Sequence, residues 1–101
     1  MTLLAAAGLN RTDRTSTGTP LDADLWLPAP AQGAIGVECN SADQETLHLL
    51  AAIDDAPSRA TVMAERALLE GLGGTCHSPI AVLSRLEGDK LMMRAAIFSS
   101  D

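Results

Sequence analysis

The stretch Leu72-Gly73-Gly74-Thr75-Cys76-His77-Ser78-Pro79-Ile80 sets the chain's most nucleophilic side chain in its least regular surroundings. Two glycines allow a tight turn and leave room beside the thiol, while Pro79 confines Ser78 to extended backbone, so the loop is constrained on both sides of Cys76. A held, accessible cysteine suits covalent attachment. The bland alternative is a small buried hydrophobe, and for a lone cysteine without further context that alternative is favoured. A protease-like thiolate does not fit, because Cys76 follows the C-terminus of an expected helix, whose partial negative charge opposes ionisation. A cysteine hydrolase would also need a histidine and an orienting carboxylate within reach, and no spacing here supports that. Cys39, His48, Cys76 and His77 are the only thiol and imidazole donors. They include no CxxC, and the neighbours Cys76 and His77 point in different directions, so no zinc site is expected.

The elements that must position this loop follow from periodicity and from start and stop signals. Residues 2–8 look like the tail of an Ala/Leu-rich helix closed by Gly8 as its left-handed terminator, and residues 9–24 are polar and aperiodic, as in an exposed loop. After Pro28 and Pro30, the alternation of Ile35, Val37 and Cys39 predicts a short strand. Ser41-Ala42-Asp43-Gln44 matches a capping box, opening a helix to about residue 53 that buries Leu47, Leu50 and Ala51. Pro57, behind Asp54 and Asp55, suits the first turn of a second helix. Its apolar stripe is Ala60, Met63, Ala64, Ala67 and Leu68, with Gly71 at its end and Glu65 and Arg66 on a solvated face. Residues 80–86 and 90–98 read as two strands joined through Glu87-Gly88-Asp89, with Leu91, Met93, Ala95 and Ile97 facing the core. The order gives an α+β class, two helices packed on a small antiparallel sheet that calls for at least one more strand.

Composition narrows the function classes. The 101 residues make at most one small domain, and with Trp26 and Phe98 the only aromatics, the core must be aliphatic. A net charge of −6, from 13 acidic and 7 basic side chains without a basic run, argues against nucleic-acid and anionic-membrane partners. The opening residues carry an apolar stretch too short to span a bilayer and no preceding cationic segment, so neither a signal peptide nor a membrane helix is expected. A cytoplasmic location with Cys39 and Cys76 as free thiols is the expectation.

Three blocks, Leu27-Pro28-Ala29-Pro30-Ala31-Gln32-Gly33-Ala34-Ile35-Gly36-Val37-Glu38-Cys39, then Ala64-Glu65-Arg66-Ala67, then residues 72–80, resemble in order and spacing those of porphobilinogen deaminases (hydroxymethylbilane synthases). The resemblance covers nearly the whole chain. It implies an incomplete piece of a three-domain transferase of tetrapyrrole (heme) biosynthesis. Residues 1–40 would come from the hinge-linked substrate-binding region and residues 41–101 would begin the third, cofactor-carrying domain. It further implies that Cys76 anchors a dipyrromethane cofactor through a thioether, on which four porphobilinogen units are joined with loss of ammonia before hydroxymethylbilane is released. Deaminated porphobilinogen is an electron-poor azafulvene, which a soft sulfur captures without a strongly depressed pKa. Gln32 and Gly33 match a family segment lying against the cofactor, although a polar residue and a tight turn before a strand need no cofactor; the place of Glu65 and Arg66 in a matched block likewise allows them a domain-contact role beside the solvated-face reading.

Two departures stand out. Pro30-Ala31 replaces the Val-Gly that the family usually places before Gln-Gly, which stiffens the hinge. The growing pyrrole chain carries two carboxylates per ring and needs clustered arginines, whereas Arg11, Arg14, Arg59, Arg66, Arg85 and Arg94 are scattered here. The family's arginines and its catalytic aspartate lie in its N-terminal part, so no catalytic residue is assigned to this chain and the isolated chain is expected to be inactive. The resemblance implies a monomer for the full-length enzyme and an unpaired edge strand over residues 90–98 here, hence self-association. The competing class is a stand-alone, non-enzymatic α+β module that binds a small anion or a partner through its sheet edge.

Overall fold

Two runs of β-prone residues separated by Gly88-Asp89 form the hairpin that organises the molecule. In the computed structural model, which describes residues 2–75 and 77–99, β1 (Ile80–Glu87) and β2 (Lys90–Ile97) pair antiparallel from Ile80 opposite Ile97 to Glu87 opposite Lys90. Gly88, with φ 64°, supplies the positive φ that a two-residue hairpin loop demands. The chain before the hairpin forms α1 (Ala6–Arg11), a single 3-10 turn at Thr15–Thr17, α2 (Gln44–Ala51) and α3 (Ala56–Gly71). The α+β class holds, with α3 packed on β1 of a two-stranded sheet.

Both longer helices start on aspartates. Asp55 accepts the Ser58 amide at 2.9 Å ahead of Pro57 in the first turn of α3, as the sequence suggested. The cap of α2 is Asp43 rather than Ser41: its carboxylate takes the Thr46 amide at 3.0 Å and the Thr46 hydroxyl at 2.7 Å. A carboxylate at a helix N-terminus accepts these donors and also meets the positive end of the helix dipole, which a serine hydroxyl does not. These cap hydrogen bonds, led by the Thr46 amide at Asp43 and the Ser58 hydroxyl at Asp55, hold both carboxyls below their ordinary pKa of 3.8.

The buried residues are few and cluster on β1: Ile80, Ala81, Val82 and Ser84, with Glu65 from α3. Several expectations are corrected by this arrangement. Gly8 lies inside α1, and Asp13, with φ 53°, takes the left-handed position beyond its end. The inward stripe of α3 is Thr61, Val62, Ala64, Glu65, Leu68 and Leu69, so Ala60, Met63 and Ala67 are exposed and Glu65 is not on a solvated face. On α2 only Leu50 of the three expected core residues is half-buried, because α2 stands away from the sheet. Leu91, Met93, Ala95 and Ile97 are exposed, since α3 covers β1 and leaves β2 uncovered among the described residues. Residues 34–40 are irregular and form no strand; Ile35 is 89% exposed, and alternation cannot make a strand without a partner to pair with.

Candidate functional site

The loop that carries the cysteine is launched by the end of α3. With Leu72 as its cap, the Gly73 amide bonds the Glu70 carbonyl at 2.9 Å and the Gly74 amide reaches back to the Leu69 carbonyl at 2.8 Å. This is the paired-bond ending that needs a left-handed residue, supplied by Gly73 at φ 64°. The terminator is therefore Gly73, two residues beyond Gly71. Gly74 is constrained by its packing instead. A Cβ there would lie 2.6 Å from Leu69 Cδ1, 2.9 Å from Ile80 Cδ1 and 3.2 Å from the Leu69 carbonyl oxygen, so the loop leaves the helix wedged between α3 and the start of β1.

Beyond the glycines, Thr75 and Ser78 are tied to each other: the Thr75 amide donates to Ser78 Oγ at 2.8 Å and the Ser78 amide to the Thr75 carbonyl at 2.9 Å. The His77 amide adds a 3.3 Å bond to Thr75 Oγ1. Cys76, the residue expected to bear the cofactor, lies outside the described residues. Thr75 before it and Ser78 two residues beyond it are tied to each other by these bonds.

Gln32 and Gly33 sit in two successive turns. The Gln32 amide bonds the Ala29 carbonyl at 3.1 Å, and the Ala34 amide bonds the Ala31 carbonyl at 3.1 Å. In the first turn Pro30 holds the position where its fixed φ is wanted, and Ala31 follows with φ 57°. Gly33, with φ 80°, meets the same demand in the second turn at no steric cost. Two long-range bonds dock the segment. The Val82 amide on the outer edge of β1 donates to the Pro28 carbonyl at 2.8 Å. The Ala31 amide donates to Glu65 Oε2 at 2.7 Å, while Glu65 Oε1 accepts the Ser84 amide at 2.7 Å. A single carboxylate thus joins the turn, α3 and β1. Neither periodicity nor spacing pointed to Glu65; the one signal available was its place in the Ala64-Glu65-Arg66-Ala67 block.

Gln32 and Gly33 also line a cleft of about 890 Å³ between residues 31–37, the end of α2 and the first half of α3, together with Ile35, Val62, Arg59 and Arg66. It is an open surface cleft rather than an enclosed cavity. Its charge is mixed. Asp54 engages Arg59 through Nε at 3.2 and 3.0 Å and through a further Nη2 contact, and this raises the already high pKa of the guanidinium. Across the molecule Arg85 Nη1 contacts both Asp24 oxygens at 2.8 and 2.9 Å, and Arg94 Nη1 lies 3.2 Å from Oδ1. The Arg85 hydrogen bond, against desolvation and with the charges of both arginines, holds Asp24 below its ordinary pKa. Arg59 thus pairs with Asp54, and Arg85 and Arg94 converge on Asp24.

A family model described as the porphobilinogen deaminase dipyromethane cofactor binding domain matches residues 1–48, and one described as the porphobilinogen deaminase C-terminal domain matches residues 59–101. Among curated relatives, the porphobilinogen deaminase of Sphingopyxis alaskensis is 50% identical over 101 residues, covering 99% of this chain and 32% of the relative. That of Roseiflexus sp. strain RS-1 is 44% identical over 100 residues (98% and 33%). That of Xanthomonas campestris pv. campestris strain B100 is 46% identical over 99 residues (97% and 33%). The chain spans about a third of the length of these relatives. With both domain models matched in order and the likeness running along the whole sequence, the chain belongs to the porphobilinogen deaminase family.

Proposed function

We propose that this chain is the cofactor-holding portion of a cytoplasmic transferase that joins four porphobilinogen units into hydroxymethylbilane, and that Cys76 anchors the dipyrromethane. The observation that carries the reading is the Gly73-Gly74 launch and the Thr75–Ser78 tie on either side of Cys76, in a chain whose two halves match the family's cofactor-binding and C-terminal domains. A dipyrromethane held there would supply the primer to which porphobilinogen units are added. The chain's own contribution is attachment and placement. The Cys76 sulfur forms one C–S bond to the aminomethyl carbon of a porphobilinogen unit as ammonia leaves, and the thiol proton goes to the departing amine. A thioether so formed withstands repeated rounds, as a thioester would not.

Gln32 and Gly33 are assigned the placement role on the family resemblance; they line a cleft beside the first half of α3 that includes none of the described residues within 72–80, and the turn that carries them is held by bonds to Pro28 and Ala31. The acid catalyst and the carboxylate-binding arginines are left to the remaining two thirds of the enzyme. A chimera in which this chain replaces the matching third of the Sphingopyxis alaskensis relative tests the reading. Cys76→Ser is expected to abolish porphobilinogen consumption and Cys39→Ser to leave it, because a hydroxyl is a much poorer nucleophile at neutral pH. An active Cys76→Ser chimera would overturn it.

A further inference from the structure

We infer that Glu65 is a positioning residue: its carboxylate locks the turn carrying Gln32 and Gly33 onto β1, and so couples the segment matched by the cofactor-binding-domain model to the domain that carries Cys76. Three observations support it. Glu65 is 7% exposed in the middle of a sixteen-residue helix that is otherwise half-buried or exposed, and burying a carboxylate is costly unless strong donors meet it. Both its oxygens are used at 2.7 Å, one by a residue 34 positions earlier and one by a residue 19 positions later, and no cation pairs with it among the described residues. The turn it holds is strained. Ala31 has φ 57°, a conformation that costs a residue with a Cβ free energy, and the bond from its amide to Glu65 adds to the turn's own Gln32–Ala29 bond in offsetting that cost.

The chemistry of the side chain is specific. Two amides that converge from different elements need two acceptor oxygens on one rigid group, and only a carboxylate offers them. Glutamine offers one oxygen and turns an NH₂ toward the second amide; aspartate is one methylene too short to reach both. With the Val82–Pro28 bond, the latch fixes the turn at both ends, at residues 28 and 31. What this does for the cofactor rests on the function proposed above; the latch itself rests only on the hydrogen bonds.

The test is amide hydrogen exchange and proton chemical shift in the full chain, comparing wild type with Glu65→Gln, Glu65→Asp and Glu65→Ala. Amide protons bonded to a carboxylate resonate downfield, so Ala31 and Ser84 should be shifted together in the wild type. In Glu65→Gln one of the two should move upfield and exchange about tenfold faster, as expected for loss of one charge-assisted bond, while the other stays protected. In Glu65→Ala and Glu65→Asp the Ala31 amide should be released, with Leu83 in the β1–β2 ladder unchanged. The inference is overturned if Ala31 keeps its shift and protection in Glu65→Gln and Glu65→Ala, or if Ala31, Ser84 and Leu83 all accelerate equally in Glu65→Gln, which would mark a side chain that only supports the fold. The Cys76 assignment has a separate readout, the mass of the thioether adduct, so the failure of one leaves the other standing.

Discussion

Replacing Ala31 by glycine should stabilise this protein, against the usual direction for a change that adds backbone freedom. Ala31 holds φ 57° at the third position of a turn whose second position is Pro30. A residue with a Cβ pays about 1–2 kcal/mol for the left-handed region. Glycine removes that strain but gains unfolded-state entropy that costs about 0.4–1 kcal/mol. The difference leaves Ala31→Gly more stable by about 0.5–1 kcal/mol, or about 2–8 °C in melting temperature for a domain of this size. Ala31→Val should move the other way, because a β-branched side chain tolerates positive φ still less. Thermal and urea unfolding followed by circular dichroism would measure all three chains. A lower melting temperature for Ala31→Gly would refute the reasoning, since it would mean that the turn is not strained at residue 31 or that the Ala31 methyl makes contacts worth more than the strain.

Other outcomes follow from the same geometry. Gly74→Ala should destabilise by about 1–3 kcal/mol, the usual cost of forcing a methyl into packed surroundings, because its Cβ would sit 2.6 Å from Leu69 Cδ1; an unchanged urea midpoint would show that Leu69 and Ile80 give way freely. Asp24, Asp43 and Asp55 all have folded pKa values below 3.8, so the stability they contribute is present above that value and is lost as the pH falls through the lowered folded values. Acid unfolding should therefore shift to higher pH in Asp24→Asn and Asp55→Asn, and identical acid midpoints would contradict it. The outer edge of β1 is occupied by Pro28 and Glu65, but β2 has no further strand among the described residues. Sedimentation over a concentration series should show self-association that Met93→Pro, which removes an amide from the open edge, suppresses; a chain that stays monomeric at high concentration would refute this.

The readable parts of the sequence were those governed by local chemistry. Pro57 marks the first turn of α3 and Gly88 the hairpin turn because each of these devices works within a few residues, although the helix terminator proved to be Gly73 rather than Gly71 and Glu87 joined β1 rather than the loop. The helix faces were harder. In α3 alanines stand at positions 56, 60, 64 and 67, so neighbouring stripes are nearly as apolar as one another and periodicity could not choose between them. Residues 34–40 alternate like a strand, but pairing is a property of two segments, and a partner cannot be read from one. Glu65 was the deepest omission. Its place in a matched block allowed a domain-contact role, but its partners lie far away in sequence and are backbone amides, which every residue other than proline carries, so side-chain patterns could not name them.

The central claim, that Cys76 carries the cofactor, is tested most directly by mapping the adduct. Trypsin cuts after Arg14, Arg59, Arg66 and Arg85, which puts Cys39 in the peptide 15–59 and Cys76 in the peptide 67–85. For the chimeric enzyme purified from cells making tetrapyrroles, mass spectrometry should find the dipyrromethane mass on peptide 67–85 and none on 15–59. An unmodified 67–85 peptide from an enzyme that consumes porphobilinogen, or the adduct on 15–59, would contradict the assignment.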